Sequence, residues 1–229
     1  MNETHLILIH TNDRLELHDE NDKNFKPIFV DFVSGKNAYR RLHGGGRRQL
    51  LARAIGLKPG YNPFVIDATA GFGEDAFVMA YLGCEVVMLE RSPMMGALLE
   101  DGLRRANLDP EFSQLKWSLD RTDALIYLTN LLKNKKLEGV VQSQPDVIYL
   151  DPMFPHRERS ALVKKDMRVL RELVGDDHDA HELLKLALEI AKKRVVVKRP
   201  RIAPAIEGIK PSLVMQGQRN RYDVYFIHL

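Results

Sequence analysis

From Pro63 onward the chain alternates between two kinds of segment, and that alternation limits the folds open to it. Short, nearly continuous apolar runs ("FVIDA", "EVVMLE", "LKWSLD", "DVIYLD", "RVVVKR") are separated by stretches with helical spacing ("EDAFVMAYLG", "PMMGALLEDGLRRAN", "TDALIYLTNLLKN", "AHELLKLALEIAKK"). Strands apolar on both sides must be covered on both faces, so the order predicts an α/β fold built on a mainly parallel sheet. A further basic helix is expected near 160–173. The tail "SLVMQGQRNRYDVYFIHL" reads as two strands joined by a short Gly-containing loop, a terminal hairpin that would reverse one strand.

Residues 1–35 follow a different pattern. "HLILIH", "RLELHDE" and "IFVDFV" alternate with period two, which predicts three short strands in a small N-terminal β subdomain preceding the main domain, 36–229. The triple glycine Gly44-Gly45-Gly46 is expected to open a helix running to about Ile55, with Gly56 as its stop. With 229 residues, 45% of them hydrophobic, the chain can bury a core without staples. The single cysteine, Cys84, leaves no intramolecular disulfide and no cysteine-based zinc cluster. No apolar run approaches the length of a membrane span, and the N-terminal apolar stretch is too short for a secretory signal. The expectation is a soluble, cytoplasmic protein.

The first strand of the main domain delivers "VIDATAGFGEDAF". Gly71 and Gly73 fall between a strand and a helix start, where backbone can approach a ligand and helix N–H groups point outward. The spacing also suits a dinucleotide fingerprint, so an NAD-dependent oxidoreductase stays open, and a tight βα turn would look similar. Glu90, ending the next strand, could accept hydrogen bonds from both hydroxyls of an adenosine ribose, in either cofactor. Asp67, Glu74 and Asp75 crowd negative charge around the loop. That charge would repel a pyrophosphate and favour a ligand bearing a sulfonium and an ammonium, as S-adenosylmethionine does. Glu74 and Asp75 would equally suit the helix dipole. Asp123, after the third strand, could meet an adenine amine or simply cap a helix, as could Thr122.

The fourth strand stops at "DPMFP". Two prolines within four residues fix an extended loop holding a carboxylate, Asp151, and a ring, Phe154, at the same edge of the sheet as the glycine loop. A nucleobase exocyclic amine is a poor nucleophile because its lone pair is delocalised. Acceptors at the Asp151 carboxylate and the Pro152 carbonyl would orient it, and Phe154 could stack on the base. A turn capped by aspartate is the plainer alternative.

Together "DATAGFGEDAF", "MLERSP", "YLDPMFPHR", "SALVKKDMR" and "RVVVKRP" resemble the RsmJ family of bacterial 16S ribosomal RNA guanine-N2 methyltransferases. The resemblance implies a Rossmann-like class I methyltransferase fold with a seven-stranded sheet. It also implies methyl transfer to N2 of a guanosine near the 3′ end of the small-subunit rRNA, with 16S rRNA or the 30S subunit as partner and no metal. Carried over by motif, Glu74, Asp75, Glu90, Arg91, Asp151 and the pair Thr122-Asp123 would contact S-adenosylmethionine. Met153 departs from the wider amine-methylase pattern, which has a second proline there.

Net charge is only +3. Basic residues nevertheless cluster in "YRRLHGGGRRQLLAR", "LVKKDMRVLR" and "KKRVVVKRPR", so Arg47, Arg48, Lys164, Lys165, Lys198 and Arg199 are expected to hold RNA phosphates. Solvated helix faces would explain such runs as well, and a non-catalytic RNA-binding module is the second rival class. None of the eight histidines shows metal-ligand spacing; His156 adjoins the Asp-Pro motif as a candidate substrate contact. Trp117 is expected in the core.

Overall fold

The computed structural model describes residues 5–34, 45–135, 144–152 and 179–227. Strands β1 (Leu6–His10) and β2 (Leu15–Asp19) form an antiparallel hairpin. A 3₁₀ turn, Gly46–Arg48, and helix α1, Leu50–Ala54, are separated by extended Gln49. Then follow β3 (Phe64–Asp67), α2 (Glu74–Tyr81), β4 (Glu85–Leu89), α3 (Pro93–Asn107), β5 (Trp117–Asp120) and α4 (Ala124–Lys135). The chain resumes with β6 (Val147–Leu150), α5 (Ala180–Ile190), β7 (Arg194–Pro200), β8 (Leu213–Gln216) and β9 (Asn220–Phe226).

The main sheet has seven strands in the order β5-β4-β3-β6-β7-β9-β8. Pairings from β5 through β7 are parallel, and β9 runs antiparallel to both neighbours. The hairpin and the reversed strand read from the tail are therefore both present. From β3 the chain winds outward to β4 and β5, then returns across β3 to β6. This reversal opens a crevice at the carboxyl ends of β3 and β6, where open parallel sheets hold their ligands.

Each face of the sheet has its own core. Val65, Val147, Tyr149 and Val196 pack with α1, α2 and α3, whereas Ile66, Ile148, Val195 and Val197 pack with α4 and α5. This is the two-sided burial that the apolar strands required. Trp117 lies edge-on to Phe32 at 4.9 Å between ring centroids, partly buried against the core rather than inside it.

The N-terminal segment differs from the three-strand expectation. Its third run, "IFVDFV", makes only one β-bridge, Ile28 to Leu17, beyond the hairpin. Period two is kept, since Ile28, Val30 and Phe32 are all buried, but their side chains enter the core shared with the large sheet. Asp31 ends the run by accepting the backbone N–H groups of Val33 and Ser34. Asp101 on α3 anchors the hairpin by accepting the Leu15 N–H at 3.1 Å. The expected basic helix near 160–173 lies outside the described residues. Among the described residues, no helix is long and apolar enough to cross a membrane.

Candidate active site

Strand alternation assembles the site. Asp67 ends β3 directly opposite Tyr149 on β6, and Tyr149 is opposite Val196 on β7. Side chains two apart share a face, so Asp67, Tyr149, Asp151 and Lys198 all turn toward α2. There they meet Asp75, in the first turn of that helix. The Lys198 ammonium donates to Asp151 Oδ2 at 2.7 Å and to Asp75 Oδ2 at 2.9 Å. The Tyr149 hydroxyl donates to the same Asp75 oxygen at 2.5 Å. The Asp151 backbone N–H donates to Thr69 Oγ1 at 2.6 Å, tying the end of β6 to the loop after β3.

The charges follow from this geometry. Burial alone would lower the pKa of Lys198, but Asp151 and Asp75 outweigh it and raise it above the usual lysine range. Burial, with Asp75 adding to it, holds the Tyr149 hydroxyl protonated. Asp67 is pushed up to about 8, first by burial and then by repulsion from Asp75, although the Thr69 N–H opposes the shift. Among the described residues, three carboxyl groups, of which Asp67 keeps its proton up to about 8, gather around the Lys198 ammonium. A ligand bearing cationic groups fits this donor set; a pyrophosphate does not.

The glycine loop is held from the neighbouring strand. Glu90 is buried just past β4 and accepts the Gly71 N–H at 2.9 Å and the Ser92 N–H at 2.8 Å. Gly73, the N-cap of α2, has φ +69°. A Cβ there would come within 2.8 Å of Leu99 Cδ1 and 3.0 Å of Phe32 Cζ. Gly73 therefore serves close packing of the helix start.

Other expected cofactor contacts sit along the same edge in different roles. Asp123 Oδ1 accepts the N–H groups of Leu125 and Ile126, so it caps α4. Thr122 is half-buried beside it, its N–H donating to the Asp120 carbonyl. Arg91 pairs with Asp179 at 3.2 Å. Glu74 opens α2 next to Asp75. Pro152 directly follows Asp151 and is buried, while the Asp151 side chain is 39% exposed. Phe154, His156, Lys164 and Lys165 lie outside the described residues.

Three expected phosphate contacts are placed elsewhere. The Lys198 side chain is 21% exposed, and its charge is taken up by two carboxylates inside the site. Arg199 is 3% exposed and faces the opposite side of the sheet, because neighbours in a strand alternate. Arg47 donates to Lys58 O, Asn62 Oδ1 and Leu82 O, which lie in the segments leading into β3 and β4. It is therefore at the edge away from the crevice. Arg48 is exposed. Sequence reading missed Tyr149 and Thr69. A lone tyrosine in a four-residue aliphatic strand was the available signal for the first.

An open sheet with this strand order, a reversed β9 between β7 and β8, and acids closing β3 and β4 defines a class I methyltransferase. A family model described as "Putative SAM-dependent methyltransferase" matches residues 1–227. The chain belongs to this family of S-adenosylmethionine-dependent methyltransferases, together with close relatives named ribosomal RNA small subunit methyltransferase J. The protein of that name from Coxiella burnetii is 50% identical over 221 residues, 96% of this chain and 83% of the relative. Its counterpart in Pseudomonas fluorescens is 54% identical over 202 residues, covering 87% and 74%. Among solved structures, the SAM-dependent methyltransferase NGO1261 from Neisseria gonorrhoeae is 35% identical and superposes with a TM-score of 0.75, covering 100% of this chain and 85% of that one.

Proposed function

We propose that this methyltransferase acts on the exocyclic N2 amine of a guanosine in small-subunit ribosomal RNA, in the cytoplasm. Relatives at half identity over nearly the whole chain are named for rRNA of that subunit. The observation that carries the amine chemistry is Asp151: a partly open carboxylate at the crevice, held on one side by Lys198 and through its backbone by Thr69. In this reading Glu90 holds the ribose of S-adenosylmethionine and Asp67 lies toward its cationic end. Gly71, Arg91, Thr122 and Asp123 border it.

When bound, the cofactor supplies an electrophilic methyl group on a sulfonium. Asp151 and the Pro152 carbonyl accept the two N–H bonds of the amine and turn its lone pair toward that methyl. Phe154 stacks on the base, which must leave its own stack to enter. Lys198 is held protonated and has no capacity for the proton that the methylated amine releases. Asp151, which opens to solvent, takes that proton or passes it to water. Asp75 and Tyr149 act through Lys198, fixing the charge that keeps Asp151 in place.

The test is methyl transfer from labelled S-adenosylmethionine to 30S subunits and to deproteinised 16S rRNA, each lacking the modification, with nucleoside analysis of the product. Label in N2-methylguanosine, lost in Asp151→Ala, is the expected result. Label in another nucleoside would refute the position, and label in neither RNA would refute the substrate class.

A further inference from the structure

The connection between β7 and β8 presents an isoleucine to solvent at the edge of the sheet that carries Asp151. Ile202 is 93% exposed. Arg201 beside it and Arg219 across from it are exposed as well. The Arg201 N–H donates to the Arg219 carbonyl at 3.0 Å, which extends the β7–β9 ladder one step past the Pro200–Asn220 pair. Two arginines therefore leave neighbouring strands at adjacent positions. They lie about 10 Å beyond Lys198 along the strand, at the same edge of the sheet as Asp151 but, by the alternation that separates Lys198 from Arg199, leaving from Arg199's face.

This exposed segment is anchored from below. The Arg221 guanidinium donates to the carbonyls on both sides of Ile202, that of Arg201 at 3.2 Å and that of Ala203. Arg221 is itself held by both oxygens of Asp223, at 2.7 and 3.0 Å, and Asp223 is fully buried. Burying a carboxylate is unfavourable unless it is paired, and the bidentate fork meets that condition. The result is a rigid mount for an apolar side chain that contacts almost nothing in the chain. The exposed charged residues of this connection are Arg201, Glu207 and Lys210, with Arg219 opposite.

Exposed cations flanking an apolar side chain on a pinned backbone match a partner that presents phosphates and flat base faces. We propose that Arg201, Ile202 and Arg219 form the RNA contact beside the active site. The arginines engage phosphates, and Ile202 packs against a base next to the one that enters the crevice. The proposal rests on the rRNA reading above. It also supplies what that reading lacks, since Lys198 is taken up by carboxylates inside the site, Arg199 is buried and Arg47 lies at the far edge of the sheet.

The experiment measures binding to deproteinised 16S rRNA and to 30S subunits across a salt series, for the intact chain and for Arg201→Ala, Arg219→Ala and Ile202→Ala. All three positions are on the surface, and calorimetry with S-adenosylmethionine checks that the cofactor site is unchanged. Each arginine variant is expected to weaken binding and to reduce the slope of log affinity against log salt by about 0.7–0.9. Ile202→Ala is expected to weaken binding several-fold with the slope intact. Unchanged affinity and slope in all three, with the intact chain binding RNA normally, would overturn the proposal. Loss confined to 30S subunits would also overturn it, pointing to a ribosomal protein as the partner. If the intact chain neither binds nor methylates either RNA, the rRNA reading itself fails.

Discussion

Lys198 bridges Asp75 and Asp151, its ammonium 2.9 Å from one carboxylate and 2.7 Å from the other. The bridge joins the helix that follows the glycine loop to the strand end that carries Asp151, the proposed acceptor for the substrate amine. Both halves of the site therefore depend on one charge. Replacing it with the similarly sized Met would take from both carboxylates the ammonium they share in a half-buried place. Lys198→Met is expected to lower stability by about 2–3 kcal/mol. It should reduce kcat for methylation more than it raises KM for RNA, because Asp151 loses its placement rather than the RNA its grip. Adding Asp75→Asn should restore part of the stability, with a coupling of at least ~1 kcal/mol between the two sites. Strict additivity in thermal melts would refute the bridge.

Asp67 makes the stability of the cofactor-free protein depend on pH. Its folded value, about 8, lies above the ordinary 3.8, so between these values the folded chain holds a proton that the unfolded chain has lost. Stability from this group is therefore full below the ordinary value and declines as pH rises toward about 8. Asp67→Asn keeps the Oδ1 acceptor for the Thr69 N–H and removes the titration. It is expected to flatten that decline and to raise Tm at pH 8–9. The same change should weaken cofactor binding, whose affinity in the intact chain should rise with pH as Asp67 ionises beside a cation. Parallel Tm profiles for both proteins from pH 5 to 9 would count against this.

Glu90 braces the glycine loop and, in the proposed reading, also holds the cofactor ribose; two measurements separate these roles. Removing it leaves the buried Ser92 N–H without its acceptor, at about 1–3 kcal/mol, and frees the part-buried Gly71 N–H at a smaller cost. Glu90→Ala is therefore expected to lower Tm and to raise the Kd for S-adenosylmethionine at least ~10-fold, about 1.4 kcal/mol. Asp123→Ala is the comparison. As a helix cap it should cost about 1 kcal/mol in stability. Calorimetry showing an unchanged cofactor Kd for Glu90→Ala would remove Glu90 from the binding site.

Gly73→Ala tests whether the glycine loop is built for packing at its second glycine. The positive φ and the 2.8 Å approach to Leu99 predict a loss of about 1–3 kcal/mol. In a Phe32→Ala, Leu99→Ala background the new methyl has room. The added loss should then shrink by more than 0.5 kcal/mol, beyond ordinary additivity. An equal loss in both backgrounds in urea titration would leave φ alone as the cause.

Much of this was legible in one dimension. Burial on both faces makes a strand apolar throughout, so the order of strands and helices could be read from Pro63 to the tail, and with it the edge where Asp67, Glu90 and Asp151 gather. The family was legible too, because its motifs lie at that edge in a set order. Pairing was not legible. Period two shows that Lys198 and Arg199 face opposite sides, but not that one side offers Asp75 and Asp151 and the other a buried cluster with Asp223. Those partners come from α2, β6 and β9, far away in the chain, and only the sheet order brings them within reach. Likewise the alternation of Ile28, Val30 and Phe32 marked buried positions correctly, while the choice between a third strand and a packed extended segment lay with α3 and Phe77. A charged residue in a sequence carries its sign with it, but its distance to the opposite charge is a property of the fold, and that distance decides whether it binds a substrate or holds a neighbour in place.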